Sequence, residues 1–321
     1  MSSESAGRRS IDAALDRLYP AEKDYRFGMQ PAPGEPQAPL AEVVVHRAAK
    51  PSPHWHYVTY GLTELGAKHS SDATLSGFGV EYTLRLVDGS DTPPIWPINF
   101  LRWVAQQVWA TRQPYDHAHS MNFATKGMLD KYSKGVEGLA FFEDEGLGTI
   151  STPNGKVTFV NVIPLMAGEY ELLGSWDAFK VAEEIRAQQT DLLWRVDRKS
   201  SLDGPRRELI RARVEKEGSS QGVDFYDLPC TEHEIVLDSV GRALFQKFLR
   251  HRLVHGREGK VLTGGRSVQI LPGKWHFKFD EKACVVQVPP EEARSLADAI
   301  AKASSGTLVK RSGGVQLRIS E

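Results

Sequence analysis

HWHYVTY (residues 54–60) and SGFGVEYTLRL (residues 76–86) decide the reading of this chain. The first is an aromatic stretch of strand composition that stops on Gly61. In the second, Phe78, Val80, Tyr82, Leu84 and Leu86 alternate with Glu81, Thr83 and Arg85. Period-two alternation predicts a strand with one buried and one wet face, and Asp88-Gly89 turns the chain after it. Gly77 and Gly79 have the spacing of a phosphate loop. They lack a third glycine and a Lys-Ser/Thr, and they open a strand rather than a helix. Close backbone packing or a bulge is the reading they support.

Upstream, AEVVVHRA (41–48) is a further short apolar strand, preceded by a proline-rich surface segment over 28–40. Ile11, Ala14, Leu15 and Leu18 predict a helix from Ser10 to the stop at Pro20, behind a disordered lead over 1–9. Downstream, WPINFLRWVAQQVWATRQP (96–114) switches to helical period, with Leu101, Val104, Ala105 and Val108 as its stripe. GTISTPNGKVTFVNVIPL (148–165) predicts a hairpin about Pro-Asn-Gly, and the two apolar faces of its second arm make that strand central. A helix over Trp176–Gln188 with Ser175 as N-cap and a strand LLWRVD (192–197) close the first half.

Residues 197–222 are charged and glycine/serine-bearing, a connector or exposed helix. Beyond them, SVGRALFQKFLRHRLVHG (239–256) is an amphipathic helix with Leu244, Phe245, Phe248, Leu249 and Leu253 inward. RSVQILPG, KWHFKF and ACVVQV are short strands. A last helix opens on Pro290-Glu291-Glu292, and TLVKR and VQLRIS form a hairpin about Gly313-Gly314. Neither half alternates β and α regularly, so the fold class is α+β: two lobes, each a mixed sheet packed with a few helices. The expected division is 1–9 lead, 10–196 amino-terminal domain, 197–230 connector and 231–321 carboxy-terminal domain.

At 321 residues, with 40% hydrophobic and 25% charged residues and a net charge of −1, the chain reads as a globular protein. That balance supplies no electrostatic reason to bind nucleic acid or a membrane. MSSESAGRRS has no apolar run of a signal peptide, and no stretch suffices to span a bilayer, so a cytoplasmic location is expected. Cys230 and Cys284 are then free thiols.

His54 and His56 share one face of a strand, and His117 and His119 repeat the spacing beside Asp116. Together they form a possible ligand set for a metal-dependent enzyme. No cysteine or third carboxylate stands at ligand spacing, and a strand histidine among aromatics is more often a hydrogen-bonded core residue. No nucleophile has a base and an orienting group beside it, and no pair of carboxylates stands out as acid and base. The acidic runs Glu143-Asp144-Glu145 and Glu169/Glu171 read as solvated faces.

HWHYVTYGLTELG, SGFGVEYTLRL and PPIWP (93–97) before a helix together resemble the signature of the suppressor of fused family. TPNGKVTFVNVIP, FLRHRLVHGRE (248–258) and VVQVPPEEARSLADAI (285–300) extend the resemblance over most of residues 10–304. The resemblance implies a non-enzymatic binding protein of two α+β lobes, without a cofactor, as a monomer or weak dimer. In animal members the lobes close on an extended peptide of Gli transcription factors, added as a strand. By resemblance, the partner-binding residues here are Asp116 and His117 after the first-lobe helix, Val223 and Phe225 in GSSQGVDF (218–225), and Leu244. Gln107 stands where the family carries a tyrosine, which removes one contact. The compact chain resembles bacterial members, for which a toxin takes the place of a Gli partner and immunity is the implied role.

Overall fold

The computed structural model describes residues 6–20, 23–31, 34, 38–123, 129–166, 168–173, 175–188, 191–220, 228–263 and 266–320. Two compact units divide the chain: Met1–Tyr170 with Ala182–Ser201, and Glu171–Val181 with Leu202–Glu321. Both are mixed sheets with helices, an α+β fold.

The first unit runs α1 (Ala6–Leu18), β1 (Asp24–Gly28), β2 (Glu42–Ala48), β3 (His54–Tyr60), β4 (Leu75–Leu86), α2 (Trp96–Thr111), β5 (Ser120–Asn122), β6 (Val136–Glu143), β7 (Thr149–Thr152) and β8 (Gly155–Met166). The sheet order is β1-β2-β3-β4-β8-β6-β5, with β7 hairpinned onto β8. Among the described strands of this sheet only β4 and β8 pair in parallel, and both are central. Val157, Phe159, Val160 and Val162 of β8 are all buried, as its two apolar faces require.

Alternation sorts the side chains. Val45, Trp55, Tyr57, Tyr82, Leu84, Leu86 and Phe141 pack in one core with Leu101, Val104, Ala105 and Val108 of α2. Val44, Val58, Tyr60 and Phe159 form a second core with Ile11, Ala14 and Leu15 of α1. The β4 face expected to be wet is therefore covered: Glu81 and Thr83 are 0% exposed. Polarity along the strand marks the sheet face correctly, but α1 and the 144–148 loop keep water off it.

Helix α1 starts at Ala6, inside the stretch expected as a lead. Gly7 permits this, since a Cβ there would lie 2.2 Å from the Glu64 carbonyl oxygen. Gly77 works the same way. It has φ 56°, a Cβ there would meet Leu62 O at 2.6 Å, and the β4 register shifts between Leu75 and Val80. LLWRVD is not a strand; Trp194 makes one isolated bridge to Leu86, because Leu192 (φ 47°) turns the backbone out of extended geometry.

The helix expected over Trp176–Gln188 begins two residues later, as α4 (Ala178–Gln188), and a short helix that was not expected, α3 (Glu169–Leu173), precedes it. The N-terminus of α4 is capped by Asp177, whose Oδ1 accepts from Lys180 N at 3.0 Å, and not by Ser175.

In the second unit, α5 (Pro205–Glu217) buries only Ile210 and Val214. Then follow β9 (Ile235–Leu237), α6 (Ser239–His251), β10 (Gly259–Thr263), β11 (Arg266–Pro272), β12 (His276–Phe279), β13 (Ala283–Val288), α7 (Ala293–Lys302), β14 (Leu308–Lys310) and β15 (Gln316–Ile319). The sheets are β10-β11-β13-β12 and β14-β15-β9. Phe245, Phe248 and Leu249 of α6 and Leu296, Ala297 and Ile300 of α7 fill their core, with Cys284 buried among them. Cys230 is a second free thiol. No helix among the described residues is long and apolar enough to cross a membrane.

Candidate functional site

Strand β5 ends the first unit's sheet, paired to β6 on one side. The turn that delivers it is held by aromatics. Tyr115 stacks on Phe141 with centroids 4.7 Å apart, and its N–H donates to Tyr82 Oη at 2.8 Å. Asp116 Oδ1 then accepts from His117 N at 2.7 Å, while Asp116 N donates to His119 Nδ1 at 3.0 Å. His117 Nδ1 in turn accepts from Glu143 N at 3.1 Å. Ala118, at φ 63°, folds the chain back so that its N–H reaches Phe141 O.

His119 O and Phe123 N both bond β6, so by antiparallel alternation the N–H groups of Ser120 and Asn122 turn away from it. Such a row is a template for one more strand. Asp116, exposed, and His117, half-buried, are brought together at its start.

Of the other expected contact residues, Val223 and Phe225 lie outside the described residues. Leu244 is on α6 of the second unit, half-buried against that unit's core. Gln107 sits half-buried near the end of α2.

The two histidine pairs do not make a metal centre. His54 and His56 share a face, as strand spacing demands, but both are buried and committed. His54 Nδ1 is 2.8 Å from Ser52 O, and His56 Nδ1 is 2.6 Å from Tyr19 Oη. Among the described residues no group of three histidine, cysteine or carboxylate side chains is placed to hold a metal ion.

What surrounds His56 is a polar seam that sequence reasoning missed. Asp144, read as solvated, is 1% exposed. It accepts from Arg85 Nε at 3.0 Å, Arg85 Nη2 at 2.7 Å, Thr83 Oγ1 at 2.8 Å, and the N–H groups of Gly146 and Leu147. Burial opposes its ionisation, yet the paired Arg85 guanidinium holds its pKa well below the usual carboxylate range. His56 Nε2 lies 3.3 Å from Asp144 Oδ2, outside hydrogen-bond geometry. Burial, with Arg85 nearby, lowers the imidazole to about 3 and keeps it neutral.

Glu81 is a separate buried acid. Its oxygens accept from Thr59 Oγ1 and Thr63 Oγ1 at 2.6 Å each, and from Gly61 N and Thr63 N at 2.9 Å each. Burial pushes it up to about 7 against those four donors. Glu169 was likewise read as solvated, but it is fully buried on Arg198, with Met166 N and Ser201 completing its contacts. The seam's sequence signal was present in Glu81, Thr83 and Arg85, polar residues in strict alternation on a strand.

Comparison with known proteins gives consistent matches. The family model described as suppressor of fused protein matches residues 37–199. The Homo sapiens suppressor of fused homologue is 27% identical over 140 residues, 41% of this chain and 28% of that protein. The Mus musculus homologue matches to the same extent, so the matched part spans 28% of the length of these curated relatives. The crystal structure of Drosophila suppressor of fused superposes with a TM-score of 0.80 at 17% identity, covering 100% of this chain and 98% of its own. A crystal structure of a Sufu–Fu complex superposes with a TM-score of 0.54 at 22% identity, covering 65% of this chain and 95% of the other. At such identities the structural likeness is one of fold.

Proposed function

Because this chain belongs to the suppressor of fused family, we propose that it is a non-enzymatic protein that binds a protein partner by strand addition on β5. The observation that carries the reading is the outward N–H row of Ser120 and Asn122, at the end of the sheet behind an aromatic-anchored turn. Backbone pairing supplies affinity in this mode, and flanking side chains supply selectivity. Asp116 and His117 are the flanking groups on this unit. A relative crystallised as a Sufu–Fu complex supports protein binding as the general activity.

The family resemblance carries the proposal further. An extended segment is captured between the two lobes by Val223 and Phe225 of the connector and Leu244 of the second lobe, and the captured protein is a toxin that the chain neutralises in the cytoplasm.

The test is a pull-down from the host's own lysate with tagged full-length protein, comparing wild type with Ser120→Pro and with Asp116→Ala. Proline at 120 deletes an outward donor and leaves the bonds from His119 and Phe123 to β6 in place. A protein retained by wild type and lost by Ser120→Pro, at unchanged melting temperature, supports strand addition. A protein held equally by both variants moves the interface off β5.

A further inference from the structure

A cavity of about 350 Å³ opens beside the polar seam of the first unit, and strand addition does not use it. Asn161 of β8 lines it and is 2% exposed. Its Nδ2 donates to Leu192 O at 3.2 Å, whereas its Oδ1 has no hydrogen-bond donor among the described residues. A buried amide oxygen without a donor is a costly arrangement that a ligand N–H would relieve. Leu192 is held in the left-handed region at φ 47°, which is uncommon for a bulky side chain and aims its carbonyl at Asn161 Nδ2.

The charges around the cavity select the ligand's sign. Glu143, Glu145 and Asp191 line the cavity. Glu145 is paired with Arg186, and Asp191 with Arg195. Glu143 receives the Thr149 hydroxyl at 3.3 Å and has no cationic partner among the described residues. Among the described residues the one cation on the wall, Arg85, is spent on Asp144 and His54. An anion would meet three carboxylates and an engaged arginine.

A bare metal ion fits no better, because its short bonds need ligands converging on one point, and no such group exists among the described residues. An ammonium head has diverging N–H groups that reach acceptors spread around it. Pro51 and Leu192 supply apolar wall for a methylene stem.

We propose that this cavity receives a primary ammonium group on a slim alkyl stem, as a lysine side chain or a free diamine presents it. Asn161 Oδ1, closed to solvent in this structure, becomes the acceptor for one N–H as the head enters, and Glu143 supplies the uncompensated charge.

The probes are cadaverine and Nα-acetyl-lysine N-methylamide, titrated into the full-length ¹⁵N-labelled protein, with acetate and Mg²⁺ as comparisons. The readout is the Asn161 side-chain amide resonance, identified by its loss in Asn161→Asp. Saturable shifts with either amine at millimolar concentration, weakened about three- to fivefold in Glu143→Gln, support the assignment. Tighter binding of the lysine derivative identifies a protein side chain as the source, and tighter cadaverine identifies a free diamine. Either result sustains the site. No saturable shift up to tens of millimolar, or equal shifts with acetate or Mg²⁺, overturns it. Glu143 is exposed, so its variant keeps the test open if Asn161→Asp does not fold.

Discussion

Replacing Glu81 with glutamine should erase a specific pH dependence of stability. Burial raises this carboxyl from the ordinary glutamate value of 4.5 to about 7, so the folded state holds its proton more tightly than the unfolded chain. The sign follows. Stability linked to that proton is complete below about pH 4.5 and is lost as pH climbs through about 7. The gap between the two values corresponds to about 3 kcal/mol. Because Glu81 is 0% exposed, solvent screening does not discount it.

Glutamine keeps the shape and cannot ionise. Its Oε1 can take the three donors that now meet Glu81 Oε1, and its amide N–H can turn to the Thr59 hydroxyl. That exchange shifts stability by an offset independent of pH. His46, His54 and His56 are lowered by burial and act with the opposite sign, but they are common to both proteins and cancel in the difference. Urea unfolding of full-length wild type and Glu81→Gln, repeated from about pH 4.5 to 8, should show the variant gaining about 3 kcal/mol on wild type across the range. A difference that stays flat would mean that the four donors keep Glu81 ionised throughout, and would refute the reasoning.

Asp144→Ala should cost about 3–5 kcal/mol in the same assay, because it strands the Arg85 guanidinium, 14% exposed, without its bidentate partner. Tyr19→Phe removes the hydroxyl on His56 Nδ1 and should cost about 1–2 kcal/mol by urea titration, with a loss below a few tenths counting against the bond. Acid should weaken the fold through His56. Its folded pKa of about 3 lies below its ordinary 6.5, so its contribution is present above about 6.5 and is lost as pH falls toward 3, which an acid titration of the near-ultraviolet dichroism would follow. In the second unit, Gly313→Ala should lower the melting temperature by several degrees, since φ is 64° and a Cβ there would meet Trp275 O at 2.0 Å.

The strands and helices were legible wherever apolar residues kept a clean period. Phe78 to Leu86 and Leu101 to Val108 came out as read, and the Pro-Asn-Gly hairpin closed as its turn chemistry requires. Errors fell where a local rule met a long-range contact. Asp144 sits between two glutamates that are exposed, and its bonds to Arg85 and Thr83, 59 and 61 residues away, hold it inside. LLWRVD has strand composition, yet its backbone bends at Leu192 to cap Asn161. Of the residues expected to contact a partner, Asp116 and His117 meet at one turn, and the aromatics that hold it, Tyr82 and Phe141, come from distant strands.

Local side-chain periodicity, turn residues and the aromatic signature of residues 54–100 thus sufficed for the α+β class and the family, because those properties reside in residues near one another along the chain. Burial of polar groups is different. Whether Glu81, Asp144 or His56 faces water depends on which helix or loop covers that sheet face. The oxygen of Asn161 that meets no donor among the described residues and the outward N–H groups of β5 likewise exist only once non-neighbouring strands have paired. Desolvation and edge formation are properties of the assembled sheet, and no window of sequence contains them.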